Sequence, residues 1–460
     1  MLGENTSIVA PPAAQASRFR YNPALDGLRA VAVLAVIVGH AGIPQIGGYH
    51  GVTVFFVLSG YLITSLLLRE IHTVGAVNLR HFYWRRAARL GPAMVLAIGA
   101  TWAWLAVTLA PWESYAAGLI GSMTYTTDLI ESINGNDGVG DFEWSWSLGV
   151  EEQFYLVWPI VLLLLVRFRR PAASLVILGV AVCAVWLLRA SLIAGGVGHD
   201  RLFYSPDTHA DALILGTMIA IALFYFPENV ATRNAGAVAG VIGAAGLCLL
   251  LLRSGGLPFL EAIDKGAFGQ AAVLSAALIL LVAISSTHVI GKALSLKPLV
   301  FVGKLSYSLY LWNWLSVVIF VAIVGEEPLH TPLGISWAVA LTGVAYASWK
   351  FVETPLRSKW GPPHGPSTGS EVVNRNSRAS RAGKASAMLS GYRDVLYGIV
   401  PAFLAIGGWV GYLLVGWPIW LALASAGIWV VTQGILFGTT LRRARQVREL
   451  SLTDGDNNFA

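Results

Sequence analysis

The sequence consists largely of long apolar runs, each about as long as one crossing of a lipid bilayer. An α-helix needs about 20 consecutive apolar residues to span the hydrocarbon core. Hydrophobic residues make up 56% of the 460 residues and charged residues only 12%. Runs of this kind exclude a soluble enzyme, a disulfide-linked secreted scaffold, a disordered chain and a porin-type barrel. The sequence therefore predicts an all-α fold, a polytopic membrane helical bundle.

The runs fall into a core group and a C-terminal pair. The core runs lie near 28–46, 51–68, 91–110, 147–166, 172–190, 210–226, 235–252, 267–285, 305–324 and 333–352. The pair lies near 395–415 and 417–438, after a polar stretch rich in Gly, Pro and Ser. A stretch of that composition is typical of a flexible linker. We therefore predict a ten-helix core followed by two further transmembrane helices.

One further run, 116–130, has an uncertain crossing. It is short, contains Asp128 and three Thr residues, and adjoins an acidic stretch. If it does not cross, only four of the 31 Lys and Arg residues lie outside, namely Arg189, Arg201, Arg253 and Lys265. Because cytoplasmic loops carry an excess of Lys and Arg, we predict a non-spanning or re-entrant hairpin within an outer segment, 111–146. Both termini are then cytoplasmic.

The same pattern divides the chain into five segments. These are a disordered cytoplasmic N-terminus (1–19), the membrane core (20–357), a polar cytoplasmic linker (358–393), a two-helix transmembrane appendix (394–440) and a basic then acidic cytoplasmic tail (441–460).

The net charge of +6 indicates cytoplasmic loops beside anionic lipid rather than a nucleic-acid partner. Cys183 and Cys248 both lie inside apolar runs, and the sequence has no metal-binding spacing such as C-x-x-C. We therefore expect a membrane-lipid environment, no nucleic acid and no metal.

The first apolar run contains Arg29 and His40, eleven positions apart. On an α-helix that spacing leaves about 20° of rotation and a rise of about 16 Å, so the two side chains share a face. Ionisable residues inside membrane spans are costly and commonly functional, and a neutral imidazole is suited to act as a base near pH 7. Alternatively, Arg29 extends to the lipid headgroups and His40 hydrogen-bonds another helix.

The stretch RHFYWRRAARLGPA concentrates positive charge in the first cytoplasmic loop. Arg85, Arg86 and Arg89 are close together on a helix and follow three aromatic residues. Guanidinium groups make bidentate contacts with phosphates, which makes the cluster a candidate phosphate site. An ordinary positively charged membrane anchor is the alternative.

The stretch WSWSLGVEEQFYLVWP brings acidic residues into the fourth apolar run. Glu151 and Glu152 point about 100° apart on a helix, so we expect at most one of them to face the bundle interior. A polar helix start at the outer interface is the alternative, more plausible for Glu152 than for Glu151.

These motifs occur in a characteristic order. YNPALDGLRAVAVLAVIVGHAG is followed by GGYHGVTVFFVLSGYLI, FYWRRAARLGPA, WSLGVEEQFYLVWP, DTHADALILGTMIA, KLSYSLYLWNW and FVETPLR. Over residues 20–357 the sequence resembles the membrane acyltransferase family 3, which includes polysaccharide O-acetylases, macrolide acyltransferases and modifiers of envelope glycolipids. The resemblance implies ten core helices, a cytoplasmic acyl-CoA donor (acetyl-CoA foremost) and transfer of the acyl group to a sugar hydroxyl.

The resemblance also assigns roles to residues. It implies catalytic roles for His40, Glu151 and Arg29, and donor binding by Arg86 and Arg89. Because Arg85 shares a helical face with Arg89, we expect it to bind the donor as well. Further residues of the same motifs are expected to contact substrate or to support the site: Asp26, Ser59, Trp146, Gln153, Tyr155, Asp211, Tyr307, Asn313 and Glu353.

Three positions depart from the family pattern. Thr53 replaces an Asp, Asn313 replaces a His, and His209 stands where an Arg is expected. Because Asn313 replaces the later histidine, we expect no essential role for a histidine at that position. Because His209 replaces the arginine, we expect a weaker or altered anionic contact there, while Asp211 is retained. The sequence resembles the stand-alone class of the family, so we expect no SGNH-type esterase domain after the core.

We therefore interpret the chain as an integral bacterial inner-membrane O-acyltransferase with a carbohydrate or glycolipid acceptor. In this reading His40 takes the acceptor proton and CoA phosphates bind the arginine cluster. A transporter or flippase of an anionic or lipid-linked substrate would instead show flux without CoA consumption, usually with repeat symmetry. A sensor or scaffold would keep its function when His40 is changed.

Overall fold

The computed structural model describes residues 21–41, 47–135, 138–226, 228–254, 266–285, 287–325 and 332–356. The predicted N-terminal segment, linker, two-helix appendix and tail lie outside the described residues. Within the described ranges the regular structure is helical, with no strand. The predicted all-α membrane bundle is confirmed.

In chain order the helices are α1 (Pro23–His40), α2 (Tyr49–Val74), α3 (Leu79–Val107), α4 (Trp112–Thr124), α5 (Thr127–Asn134), α6 (Trp146–Arg167), α7 (Pro171–Ala194), α8 (His199–Tyr204), α9 (Pro206–Tyr225), α10 (Val230–Ser254), α11 (Ala267–Ile284), α12 (Val289–Leu294), α13 (Lys297–Val324) and α14 (Pro332–Ser348). A 3₁₀ turn at Gly140–Ser145 precedes α6, and a π turn at Trp349–Glu353 follows α14. Asn78–Trp84 fall outside the compact unit that the other described residues form.

Among the described residues, nine helical segments are long and apolar enough to cross a membrane. They contain α1, α2, α3, α6, α7, α9, α10, α11 and α13. The α14 helix has 17 residues and continues into the π turn. Together these ten helices correspond to the ten core runs of the sequence.

The outer segment folds as a helical hairpin. The run 116–130 is interrupted at Tyr125, whose φ of 57° ends α4. The α4 helix has 13 residues and α5 has 8, whereas a crossing needs about 20. Neither helix is long enough to cross a bilayer alone, as expected for a non-spanning segment.

Local sequence sets the ends of the helices that carry the site. The Asn22 side chain accepts a hydrogen bond from the Ala24 backbone N–H at 3.1 Å, and Pro23 begins α1. The α2 helix ends at Gly75, whose φ of 80° favours glycine. These ends determine where Arg29 and Ser59 fall along their helices.

The buried core lies where α1, α2, α9 and α11 meet, and small residues bring the helices close. A Cβ added at Gly60 would collide with the Leu213 carbonyl oxygen, and one at Gly216 would collide with that of Val57. Since apolar residues gain little by leaving lipid for another apolar surface, close backbone approach is a main source of helix association. Glycine therefore holds α2 against α9.

Arg189 corrects the predicted distribution of outer charges. The sequence placed it in an outer loop, but it lies within α7, is 7% exposed and forms an ion pair with Asp211 on α9. The indole of Trp186 also donates to Asp211, at 2.8 Å. A charge buried in a membrane helix requires an opposite partner, and Asp211 supplies it.

Candidate active site

Helices α1, α2, α3, α6 and α13 surround a cavity of about 110 Å³. Its polar lining residues are Arg29, Ser59, Arg86, Arg89, Ser147, Glu151, Tyr155, Ser306, Tyr307 and Tyr310. Aromatic and aliphatic side chains complete the wall. The cavity therefore combines three cationic side chains with one carboxylate and several hydroxyls.

Glu151 is held by donors on both carboxylate oxygens. Ser59 donates to Oε1 at 2.9 Å, and the Tyr155 hydroxyl donates to Oε2 at 3.2 Å. The Arg86 guanidinium lies 4.0 Å from Oε2. The sequence identified each of these residues, and the structure brings them together.

Glu152 corrects the expectation that at most one of the two adjacent carboxylates faces inward. Its Oε1 lies 2.8 Å from Arg86 Nε, so both carboxylates contact one guanidinium. The centre of that guanidinium lies 3.1 Å from the centroid of the Tyr155 ring. The Glu151 and Glu152 side chains leave α6 in directions about 100° apart, and the long Arg86 side chain lies between them and reaches both carboxylates.

The arginine cluster is thus partly engaged within the protein. Arg86 contacts two carboxylates, and Arg85 donates to Glu70 at 3.3 Å. Arg89 lines the cavity. A phosphate that binds Arg86 must therefore compete with Glu152.

Arg29 lines the cavity from α1 and contacts α13. Its Nε donates to Ser306 Oγ at 3.1 Å, and its guanidinium carbon lies 5.7 Å from the Phe55 ring centroid. The contact joins the first helix of the core to the helix that carries the KLSYSLYLWNW motif.

His40 is the last residue of α1 and does not line the cavity. Its Nδ1 lies 2.5 Å from the side-chain nitrogen of Asn313 on α13. Since Arg29 also contacts α13, through Ser306, one pair of helices carries both contacts. The α1 and α13 helices connect the cavity at Arg29 with the imidazole about 16 Å further along α1.

A family comparison bears directly on this arrangement. The family model described as an acyltransferase domain matches residues 22–348. The chain belongs to this acyltransferase family. The matched range includes the cavity residues and the contact between His40 and Asn313.

Curated relatives carry related names. The chain is 31% identical over 355 residues to the peptidoglycan O-acetyltransferase OatA of Listeria monocytogenes serovar 1/2a (strain ATCC BAA-679 / EGD-e), covering 74% of this chain and 56% of that protein. It is 31% identical over 368 residues to the O-acetyltransferase OatA of Staphylococcus aureus (strain NCTC 8325 / PS 47), covering 74% and 58%. The chain therefore matches less than two thirds of these relatives' own length. No solved structure matches it significantly.

Other residues that the sequence predicted for the site do not line the cavity. Asp26 accepts from the Tyr21 hydroxyl at 2.7 Å, and Glu353 accepts from Ser308 at the end of the π turn. Trp146 belongs to an aromatic cluster that includes His209, with ring centroids 5.5 Å apart. The structure thus separates these residues, and Asp211, from the cavity.

Gln153 attaches the outer hairpin to α6. Its side-chain nitrogen donates to Asp128 Oδ2 and to the Tyr125 carbonyl, each at 3.0 Å. Burial raises the pKa of Asp128 well above its usual value, although the hydrogen bond from Gln153 opposes this. Gln153 therefore supports the fold around the acyltransferase site.

A second buried carboxyl follows on the same short helix. Glu131 is fully buried, and neither of its oxygens has a hydrogen-bond partner among the described residues. Burial raises its pKa well above the usual value, and the charges of Glu143, Asp128 and Asp200 add to this. No group of three or more His, Cys, Asp or Glu side chains in the described ranges could hold a metal ion.

The structure shows what surrounds Thr53 and His209, two of the positions that depart from the family pattern. Thr53 is 2% exposed on α2. His209 Nε2 lies 2.6 Å from the Phe203 carbonyl oxygen. Asp211 pairs instead with Arg189, so a cation from another helix occupies the place beside this acid.

Three cavity residues, Ser147, Ser306 and Tyr310, were missed by sequence reasoning. Ser306 and Tyr310 are four positions apart, and Asn313 follows three later, which places all three near one helical face. That spacing was the available signal for Ser306 and Tyr310. Ser147 hydrogen-bonds Tyr310 across two helices, a contact that no local pattern indicates.

Proposed function

We propose that the chain is a bacterial membrane O-acyltransferase. It moves an acyl group, foremost acetyl from acetyl-CoA, to a hydroxyl of a cell-envelope sugar, glycolipid or secondary metabolite. The observation that carries this proposal is the α1 and α13 pair, which joins the charged cavity at Arg29 to the His40 imidazole. The similarity to the Listeria protein, which is named a peptidoglycan O-acetyltransferase, supports a carbohydrate acceptor.

The donor enters the cavity from the cytoplasmic side. Arg85, Arg86 and Arg89 bind its phosphates, because guanidinium groups match phosphate geometry bidentately. Arg86 exchanges Glu152 for phosphate in this step, since the two anions compete for one guanidinium. Arg29 and Glu151 contact the pantetheine arm, whose amide groups can both donate and accept hydrogen bonds.

The acyl end of the donor reaches His40, where the chemistry takes place. The imidazole takes the proton of the acceptor hydroxyl, and the hydroxyl oxygen forms a bond to the thioester carbonyl carbon. The carbon–sulfur bond then breaks, and the CoA sulfur takes the proton from the imidazolium. The products are the O-acyl ester and free CoA thiol.

This proposal includes an orientation in the cytoplasmic membrane. The arginine end of the cavity faces the cytoplasm, both termini are cytoplasmic, and lipid surrounds the helices. His40, on the far end of α1, is then close to the outer face. That position lets a cytoplasmic donor meet an acceptor of the cell envelope.

The test is turnover by the purified full chain in lipid nanodiscs. Acetyl-CoA and a soluble peptidoglycan oligosaccharide are supplied, and both free thiol and ester are measured. We expect equal amounts of the two products, and a loss of about 10²–10⁴ in rate in His40→Gln that leaves the protein folded. Substrate flux across vesicles without thiol release would favour a transporter, and full activity in His40→Gln would reject the base.

A further inference from the structure

Asn313 and the next residue, Trp314, both contact the imidazole ring of His40. Asn313 is 1% exposed, and its amide group lies against His40 Nδ1. The Trp314 ring meets the same imidazole edge-on, with centroids 5.1 Å apart. Two consecutive residues of α13 therefore contact the ring, and Asn313 provides its side-chain amide contact within the part of the chain that the structure describes.

The α13 helix is itself fixed at this point. Ser316 Oγ donates to the Asn313 carbonyl oxygen at 2.7 Å, and the Trp337 indole donates to Ser316 Oγ at 3.0 Å. These bonds join the turn that bears Asn313 to α14. These hydrogen bonds restrain the backbone of the turn that places the Asn313 amide beside His40.

The amide can present either of two atoms to the ring. Its nitrogen and oxygen have nearly the same shape, so exchanging them requires no movement of the other atoms. With the nitrogen against Nδ1, the Asn313 Oδ1 is buried without a hydrogen-bond partner. Nδ1 then has to accept, which puts the proton of a neutral imidazole on Nε2. His40 could not take a proton at Nε2 in that state.

We propose that Asn313 is the residue that sets the His40 tautomer, by presenting its side-chain oxygen to Nδ1–H. Nε2 then carries the lone pair that accepts the proton of the acceptor hydroxyl. This inference rests on the proposed function, in which His40 is the base. Asn313 is a positioning residue, because it acts through the imidazole; a partner on the second ring nitrogen is how proteins commonly select the basic one.

Two substitutions separate the two amide orientations. A carboxylate can only accept from Nδ1–H, so Asn313→Asp should keep most of the activity, whereas Asn313→Leu should lower kcat by up to about 10²–10⁴ and leave the KM for acetyl-CoA unchanged. Asn229→Asp, at an exposed helix cap, is the matched control. Equal losses in the Asp and Leu variants would overturn the proposal, because the amide N–H would then be the group that matters.

A spectroscopic measurement tests the tautomer without turnover. The full chain is labelled with ¹⁵N-histidine in lipid nanodiscs near pH 8, and the His40 signals among the nine histidines are assigned by difference with His40→Gln. We expect a protonated Nδ1 and an unprotonated Nε2. The reverse pattern would overturn the role of Asn313 and leave the transfer reaction standing. Full activity in His40→Gln would instead reject the proposed base.

Discussion

Arg86 and Glu152 form an ion pair, with 2.8 Å between Nε and Oε1, at the wall of the cavity. The guanidinium also stacks on Tyr155. A cation that is already neutralised inside the protein binds an external phosphate only by changing partners. The pair therefore competes directly with the proposed donor.

This competition predicts the effect of Glu152→Gln. The neutral amide holds Arg86 less tightly, so the apparent KM for acetyl-CoA should fall several-fold while kcat changes little. Asp207→Asn is the matched control, because it weakens the pair with Arg201 outside the cavity. Steady-state kinetics with varied acetyl-CoA measures both. An unchanged KM in Glu152→Gln, together with an unchanged KM in Arg86→Ala, would give Arg86 a purely structural role.

The buried pair of Arg189 and Asp211 predicts a loss of stability. Asp211→Ala leaves a guanidinium uncompensated inside the bundle, which should cost about 3–5 kcal/mol. The double variant Arg189→Leu with Asp211→Leu should recover most of that loss, since no buried charge remains. Denaturation in detergent measures the change.

The pair of Arg201 and Asp207 is the control for this experiment. Its side chains are 30% and 43% exposed, so breaking it should change stability by about 1 kcal/mol or less. A comparable loss in Asp207→Ala and Asp211→Ala would show that burial does not make the difference.

The apolar runs predicted the helices because the bilayer requires each crossing to satisfy its own backbone. The ordered motifs predicted Arg29, Ser59, Glu151 and Tyr155, which the cavity gathers. The motifs could not predict which partner each polar side chain takes, since that depends on how separate helices pack.

Glu152 and Arg189 illustrate the limit. Helical geometry placed Glu152 away from its neighbour, but a long side chain from α3 reaches both carboxylates. Charge counting placed Arg189 in a loop, but an acid on α9 lets it stay within a helix. In both cases a contact between distant segments outweighs the local rule.

Glu131 predicts a pH-dependent stability of the outer hairpin. Its pKa is raised by burial and by Glu143, Asp128 and Asp200, above the value of about 4.3 in an unfolded chain. Between those two values the folded state binds more protons than the unfolded state, so stability falls as pH rises through the window.

Glu131→Gln should remove this part of the dependence. We expect the variant and the native protein to melt alike near pH 4, below the window, and the variant to be more stable near pH 8. Glu228→Gln serves as the acid-to-amide control away from the hairpin. Thermal unfolding across that pH range is the measurement, and identical pH profiles for Glu131→Gln and the native protein would contradict the prediction.

The hairpin also predicts the sidedness of three exposed positions. Between Ala76 and Asn134 the chain contains one long helix, α3, followed by the two short helices of the hairpin. If the hairpin does not cross, Ala76 and Asn134 lie on opposite sides of the membrane, and Phe168, after α6, lies on the same side as Ala76.

Single cysteines at each of the three positions, with Cys183 and Cys248 changed to Ser, can be tested with a membrane-impermeant thiol reagent on intact cells. We expect labelling of Asn134→Cys without permeabilisation, and of Ala76→Cys and Phe168→Cys only after it, because the Arg-rich stretch 167–170 then faces the cytoplasm. Protection of Asn134→Cys together with external labelling of Phe168→Cys would show that the hairpin crosses, and would reverse the side assigned to every later loop.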